Sequence, residues 1–197
     1  DDYDKTLKLE LENASTAVRL DPNDYQAQWV LGWASLYNRQ YEKAMAGYVR
    51  ARDLNSNDAD LLADMGNLLI YVGQPKQAID QVKDAIRLNP LHANWYVYYL
   101  GWAYEEASMP QKAIEIFEQA MDLQNPDEEQ LWYFPTIAAA YAHPTVGRMD
   151  DARKIVKTFL SRKPGFSTSK AVARYPYKTK ELLDRYVNAV RRAGLPE

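Results

Sequence analysis

The feature that most constrains this chain is an internal repeat of about 34 residues, which recurs through most of its 197 residues. Three successive units keep the same residue types at the same offsets: Gly32, Ala44, Tyr48 and Ala51; Gly66, Ala78, Val82 and Ala85; Gly101, Ala113, Phe117 and Ala120. Since these offsets do not drift, one structural unit is repeated along the chain. A period of this length is typical of stacked helical hairpins.

The boundaries between units also repeat. A leucine precedes a short polar or proline-containing turn, at residues 19–22, 53–56, 87–90 and 122–126. Proline disfavours helix in the residue before it and suits the first turn of a new helix, so these boundaries predict helix stops and starts. A degraded fourth unit is indicated by Trp132, Ile137, Ala138, Tyr141, Ala152, Val156 and Pro164. Its internal turn, residues 143–147, is expected to be about two residues longer than the others.

These offsets resemble the tetratricopeptide repeat, which places a large residue, leucine-glycine, alanine, a bulky residue, alanine and a closing proline in this order. The resemblance implies an all-α fold, a right-handed superhelical solenoid of helical hairpins with a C-terminal capping helix. Residues 25–164 are expected to form four hairpins, residues 1–24 the second helix of a partial repeat, and residues 165–197 an extension with the capping helix. Small residues should let the two helices of a hairpin approach, and bulky ones should fill the gap to the next hairpin.

The two ends differ from the repeats. Residues 5–20 have an apolar face formed by Leu7, Leu11, Ala14 and Val18, which predicts an amphipathic helix. Because the chain opens directly into this helix, we expect it to be a segment of a longer polypeptide. Near the other end, a helix is predicted from Thr179 to Ala193, capped by Thr179 and ended by Gly194 and Pro196. Its expected role is a lid over the last hairpin.

A second resemblance lies in the tail. The run Tyr175-Pro176-Tyr177-Lys178, the leucine-containing helix and the ending at residues 191–196 resemble the C-terminal end of certain bacterial signalling proteins. In those proteins a class III adenylate or guanylate cyclase domain precedes tetratricopeptide repeats, and related tails follow winged-helix regulators. The resemblance implies a regulatory or scaffolding tail of a larger bacterial signalling protein, without the catalytic part.

Composition excludes several functions. The 24 basic and 27 acidic residues are mixed along the chain with a net charge of -3, which does not favour nucleic-acid binding. There is no cysteine, so disulfides, thiol nucleophiles and cysteine-ligated zinc are excluded, and a reducing, cytoplasmic location is expected. No stretch approaches the roughly 18 apolar residues of a membrane-spanning helix, so no membrane insertion is expected.

Catalytic chemistry is not indicated either. The two histidines, His92 and His143, are far apart, and no phosphate-binding loop or dinucleotide motif occurs. The pairs Glu105-Glu106 and Asp150-Asp151 are sequential neighbours and are expected to be solvated. We therefore expect a non-enzyme with no cofactor and no metal.

Binding residues are expected on the first helix of each hairpin, which lines the concave surface in tetratricopeptide proteins. These helices carry the aromatic and polar residues typical of peptide-binding surfaces. The predicted partner-binding residues are Trp29, Trp33, Asp60, Asp64, Asn67, Trp95, Tyr98, Trp102, Glu105 and Trp132. The acidic members favour a neutral or basic protein segment as partner. A clamp for a terminal carboxylate is disfavoured, because only Asn67 is suitably placed for it.

The sequence is also compatible with other functions. A cluster of Trp95, Tyr98, Tyr99 and Trp102 could form a pocket for a small-molecule sensor. The chain could also be the non-catalytic part of a multidomain enzyme. Finally, exposed terminal helices could pair with a second copy, and the isolated N-terminal helix is the edge most suited to form a homodimer.

Overall fold

The computed structural model describes residues 2–123 and 126–197, except for the side chain of Ala120. All regular elements within these ranges are helices, as expected. In chain order they are α1 Asp2–Leu20, α2 Tyr25–Tyr37, α3 Tyr41–Leu54, α4 Ala59–Tyr71, α5 Pro75–Leu88, α6 Asn94–Glu106, α7 Pro110–Ala120, α8 Glu128–Leu131, α9 Phe134–Tyr141, α10 Met149–Arg162, α11 Thr168–Val172 and α12 Lys180–Arg192. None of these helices is long and apolar enough to cross a membrane.

Helices pair into antiparallel hairpins that stack along one direction: α2 with α3, α4 with α5, α6 with α7, and α9 with α10. The side chains of Asp24 and Asp58 accept backbone N–H bonds at the starts of α2 and α4, which satisfies donors that the helix itself cannot pair. In the first three hairpins the connecting turn has one residue with positive φ, and in the second that residue is Gly73. The predicted helical solenoid is therefore confirmed.

The repeated glycines mark where the two helices of a hairpin touch. A Cβ atom on Gly32 would lie 2.8 Å from the ring of Tyr48, and one on Gly101 would meet the ring of Phe117. Gly66 faces Val82 in the same way. The bulky residues thus pack on the glycine of their own hairpin, whereas the sequence pattern placed them against the neighbouring one. Tyr48 does both, because its hydroxyl also reaches the next hairpin.

The fourth hairpin departs from the others. Its first helix is divided into α8 and α9, and Pro135 lies in the first turn of α9. Proline is tolerated there, because the N–H that it lacks would have no acceptor within the helix. The spacing from Ala138 to Ala152, on which the expected two-residue lengthening rests, understates the change in the turn. The connection between α9 and α10, residues 142–148, is four residues longer than the connection between α2 and α3, residues 38–40. One reason is that α9 ends early, shortly before Pro144.

First helices form the inner side of the array. Each contacts the first helix of the next hairpin: α2 with α4, α4 with α6, and α6 with α9. The first helices thus form one continuous face of the array, which we call the inner face.

The N-terminal helix α1 packs against the first hairpin, as its apolar face predicts. Ala14 is buried with Leu31 and Ala34, and Leu11 and Val18 pack around them. The helix is longer than expected and already includes Asp2, whereas Asp1 lies outside the described residues.

The C-terminal helix α12 has the predicted caps, with the Thr179 hydroxyl accepting from the backbone of Leu182 and Gly194 at φ 103°. It covers more of the molecule than the expected lid over the last hairpin. It packs on α9, but Leu182 also covers the turn at Gly73, and the preceding segment crosses the first helices as far as Arg39. The tail therefore occupies part of the inner face.

The repeat register can be tested at Ala78, which is fully buried where α5 meets α4. We expect Ala78→Leu to overpack this contact and to lower the free energy of unfolding by about 1–3 kcal/mol, measured by urea denaturation. Gln77→Leu, at an exposed neighbouring position of α5, is the matched control and should change stability little. Equal unfolding curves for the two variants would contradict the register.

Candidate functional site

An open cleft of about 380 Å³ lies on the inner face between α2, α4 and α6. Its lining is mainly aromatic, with one carboxylate: Trp29, Val30, Trp33, Asp64, Trp95 and Tyr99. Four of these six are among the predicted partner-binding residues. The sequence pattern thus placed Trp29, Trp33, Asp64 and Trp95 together, although they come from three different hairpins.

Asp64 lies at the centre of the hydrogen bonding in this cleft. Its Oδ2 accepts a bond of 2.7 Å from the indole Nε1 of Trp29 and one of 2.6 Å from the hydroxyl of Tyr48. Burial raises the pKa of the Asp64 carboxyl, and these two bonds oppose that shift. The carboxylate is therefore held by neutral donors, and none of the described salt bridges includes it.

The rings of the cleft are fixed by their neighbours. Trp95 packs edge-on against Tyr99 with ring centroids 5.4 Å apart, and Trp33 lies 4.7 Å from Tyr37. The hydrogen bond to Asp64 orients Trp29. Because these contacts hold the side chains in place before any ligand arrives, binding would lose little side-chain entropy.

Beside the cleft, the tail runs along the turn ends of the first helices. The guanidinium of Arg39 donates to the backbone carbonyls of Tyr175 at 3.2 Å and of Ala173 and Tyr177 at 3.4 Å. The hydroxyl of Tyr41 donates to the carbonyl of Tyr177 at 2.9 Å. The main chain of the tail is thus held through its carbonyl groups, and neither Arg39 nor Tyr41 was singled out from the sequence.

Glu106, at the end of α6, holds the tail through its side chain. Its side chain is only 1% exposed, it pairs with Arg185 of α12, and it accepts a bond of 3.0 Å from the Tyr177 hydroxyl. The expectation that Glu105-Glu106 is a solvated pair is therefore wrong, because α12 and the segment before it cover these residues. No sequence signal indicated that the tail would fold back this far.

Two of the predicted partner-binding residues are buried, and the tail covers one of them, Trp102. Trp102 is 2% exposed and lies among four tyrosines of the core and the tail: Tyr71, Tyr98, Tyr177 and Tyr186. Tyr98 is likewise buried, and stacks on Tyr133 at 4.1 Å. The cluster considered as a small-molecule pocket is therefore split, with Trp95 and Tyr99 in the cleft and Tyr98 and Trp102 in the core.

The remaining predicted residues lie outside the cleft lining. Asn67 is buried in α4, and Asp60 is exposed and accepts a bond from the Tyr96 hydroxyl. Trp132 is 56% exposed at the end of α8, where the Lys163 ammonium lies 5.0 Å from its ring. Tyr99 and Val30 were missed in the predicted set, although Tyr99 lies four residues after Trp95 on the same helix face.

A larger depression of about 630 Å³ lies between α7 and α10, beside the end of α9. Its charged groups are paired with one another, since Arg148 contacts Glu118 at 2.7 Å and Asp151 at 2.8 Å. Within residues 2–123 and 126–197, no group of three histidine, aspartate or glutamate side chains could hold a metal ion. The aromatic cleft is therefore the best candidate site.

The pH dependence of stability offers a test of the burial of Glu105. Burial, and then the neighbouring Glu106, raise the pKa of the Glu105 carboxyl to about 7. Because the pKa is higher in the folded than in the unfolded state, the folded protein keeps this proton up to a higher pH. The free energy of unfolding should therefore fall as the pH rises from about 4.5 to about 7.

Glu105→Gln removes this titration and is expected to be more stable than the parent protein by about 2–3 kcal/mol at pH 8, with a smaller difference at pH 5. Urea unfolding at both pH values measures it. Exposed Glu115→Gln on α7 is the control. A stability difference that does not grow with pH would contradict the burial of Glu105.

Comparison with known proteins gives a consistent result. Residues 63–128 match the family model of the tetratricopeptide repeat. Cellulose synthase operon protein C of Pseudomonas fluorescens is 27% identical over 75% of this chain, and the TPR repeat-containing protein YpiA of Bacillus subtilis is 22% identical over 77%. The chain spans only 12% and 34% of the lengths of these two relatives.

Solved structures show the same fold at low identity. TTC0263 of Thermus thermophilus has a TM-score of 0.65 at 21% identity, with 92% of this chain and 89% of that chain covered. YrrB, described as a TPR protein with an unusual peptide-binding site, has a TM-score of 0.60 at 19% identity, with 93% of each chain covered. Residues 63–128 are therefore similar to tetratricopeptide repeats, and the described chain as a whole has the helical-solenoid fold of these solved structures.

Proposed function

We propose that this chain is a protein-interaction module that binds a neutral or basic peptide segment in the aromatic cleft of its concave face. One observation carries the proposal. The first helices hold four aromatic rings open to solvent around Asp64, while the tail covers the neighbouring part of the same face. Large rings held rigidly in a cleft are the residues that most often dominate binding to a partner.

The bound tail supports a peptide main chain as the ligand. Arg39 and Tyr41 hold the carbonyl groups of Ala173, Tyr175 and Tyr177, and the backbone N–H of Lys178 donates to the carbonyl of Tyr71. The inner face thus already binds one segment through its main chain. YrrB, with the same fold, has a peptide-binding site. A small-molecule sensor has less support, because two of the four rings considered for it are buried.

The charge of the cleft supports a neutral or basic partner. Asp64 lies in the lining and Asp60 is exposed on the same helix, whereas no lysine or arginine lines the cleft. An acidic segment would meet unfavourable charge on the inner face.

The wider role follows from the tail. Its resemblance to the endings of cyclase-containing bacterial proteins supports a regulatory or scaffolding part in such a cytoplasmic signalling protein, and pairing through α1 would make it a homodimer. Under this proposal the parent protein supplies any catalytic activity, and this segment supplies the contact with a partner.

Selection from a random peptide library, followed by fluorescence polarisation of the best peptide, tests the cleft. We expect Trp33→Ala combined with Trp95→Ala to weaken binding by at least about tenfold, because both rings line the cleft. Trp132→Ala, which removes an exposed ring outside the cleft, is the matched control and should bind like the parent protein. Undiminished binding by the folded double variant, or a library that yields no binder, would contradict the proposal.

A further inference from the structure

We propose that the aromatic cleft binds the side-chain ammonium group of a lysine in the partner peptide, with Asp64 as its counter-charge and the surrounding rings as its walls. The inference rests on the proposed function and deepens it by naming the group that the cleft recognises. Two observations support it: among the described residues Asp64 has no positively charged partner, and the side chains around it are mainly aromatic.

The cleft contains a negative charge without a positive partner. Asp64 accepts two hydrogen bonds from neutral groups, and no lysine or arginine lines the cleft. The cations that hold the tail are engaged there, since Arg39 bonds to carbonyl groups of the tail and Lys178 pairs with Glu42 at 3.1 Å. A partly buried carboxylate is normally paired, because burial of an uncompensated charge is unfavourable. A cation from a ligand would supply the missing charge.

The rings favour a cation as well. Trp29, Trp33, Trp95 and Tyr99 line the same space, and tryptophan has the ring face that attracts cations most strongly. Such attraction is larger when the cation is partly removed from water, as it would be within this lining. The four-carbon stem of lysine can lie against the apolar surface of Val30 and the rings while its head reaches Asp64.

The hydrogen bonding of Asp64 favours lysine over arginine. A guanidinium pairs best with both oxygens of a carboxylate at once. Oδ2 of Asp64 already accepts from Trp29 and Tyr48, which leaves Oδ1 as the available acceptor. An ammonium group is a compact charge that needs no such two-oxygen geometry.

Three matched peptides test the inference on the full chain. Each has the same neutral Gly-Ser sequence with one central lysine, arginine or norleucine, and norleucine keeps an apolar stem without the charge. Binding is followed by the indole N–H signals of Trp29, Trp33 and Trp95 in NMR titrations. We expect the lysine peptide to bind at least about tenfold more tightly than the norleucine peptide and more tightly than the arginine peptide.

Two variants of the protein complete the test. In Asp64→Asn the amide oxygen can still accept from Trp29 and Tyr48, so the fold is kept while the charge is lost, and the preference for lysine should disappear. Trp95→Leu removes one ring and should weaken the lysine peptide more than the norleucine peptide. Unchanged lysine preference in both folded variants would overturn the role of Asp64 and the rings.

The outcomes separate this inference from the proposed function. Equal binding of lysine and norleucine peptides, or tighter binding of the arginine peptide, would overturn the lysine assignment and leave a peptide-binding cleft. If none of the three peptides shifts the cleft signals, the lysine assignment is overturned. The proposed function is also overturned if, in addition, library-selected peptides bind equally well to the variant that lacks Trp33 and Trp95.

Discussion

The contact between a glycine on one helix and a bulky side chain on the next determines the geometry of every regular hairpin in this chain. At Gly32, Gly66 and Gly101 there is no room for a methyl group, because the side chains of Tyr48, Val82 and Phe117 occupy that space. This close approach fixes how far apart the two helices lie, and the constant period repeats it along the array. The first helices consequently meet on one side and create the inner face, which carries the aromatic cleft.

The inner face is divided between the chain's own tail and an open cleft. The tail is fixed by a buried charge, because Glu106 pairs with Arg185 and accepts from Tyr177. Loss of Arg185 would be unfavourable, since the buried Glu106 carboxylate would stay without its cation. Asp64, in contrast, has hydrogen bonds from two neutral donors. Under the proposed function the two acidic groups have different roles, because Glu106 is satisfied within the chain and Asp64 is left for a ligand.

The repeat register, the caps of α12 and four cleft residues could be predicted from the sequence because each depends on local spacing. Trp29 and Trp33 share a helix face, and a period of 34 residues brings Asp64 and Trp95 beside them. The burial of Trp102 and Glu106 could not be predicted, since it depends on where residues 173–192 return. That return is decided by long-range contacts such as Arg39 with Tyr175, which leave no periodic signal in the sequence.

Under the proposed function, a ligand enters the cleft beside the tail and does not displace the tail. Backbone hydrogen exchange, followed by mass spectrometry with and without a library-selected peptide, measures this directly. We expect slower exchange in α2, α4 and α6 on binding, with the exchange of residues 173–178 unchanged. Faster exchange of residues 173–178 on peptide binding would show that the ligand displaces the tail, and would contradict the proposed function.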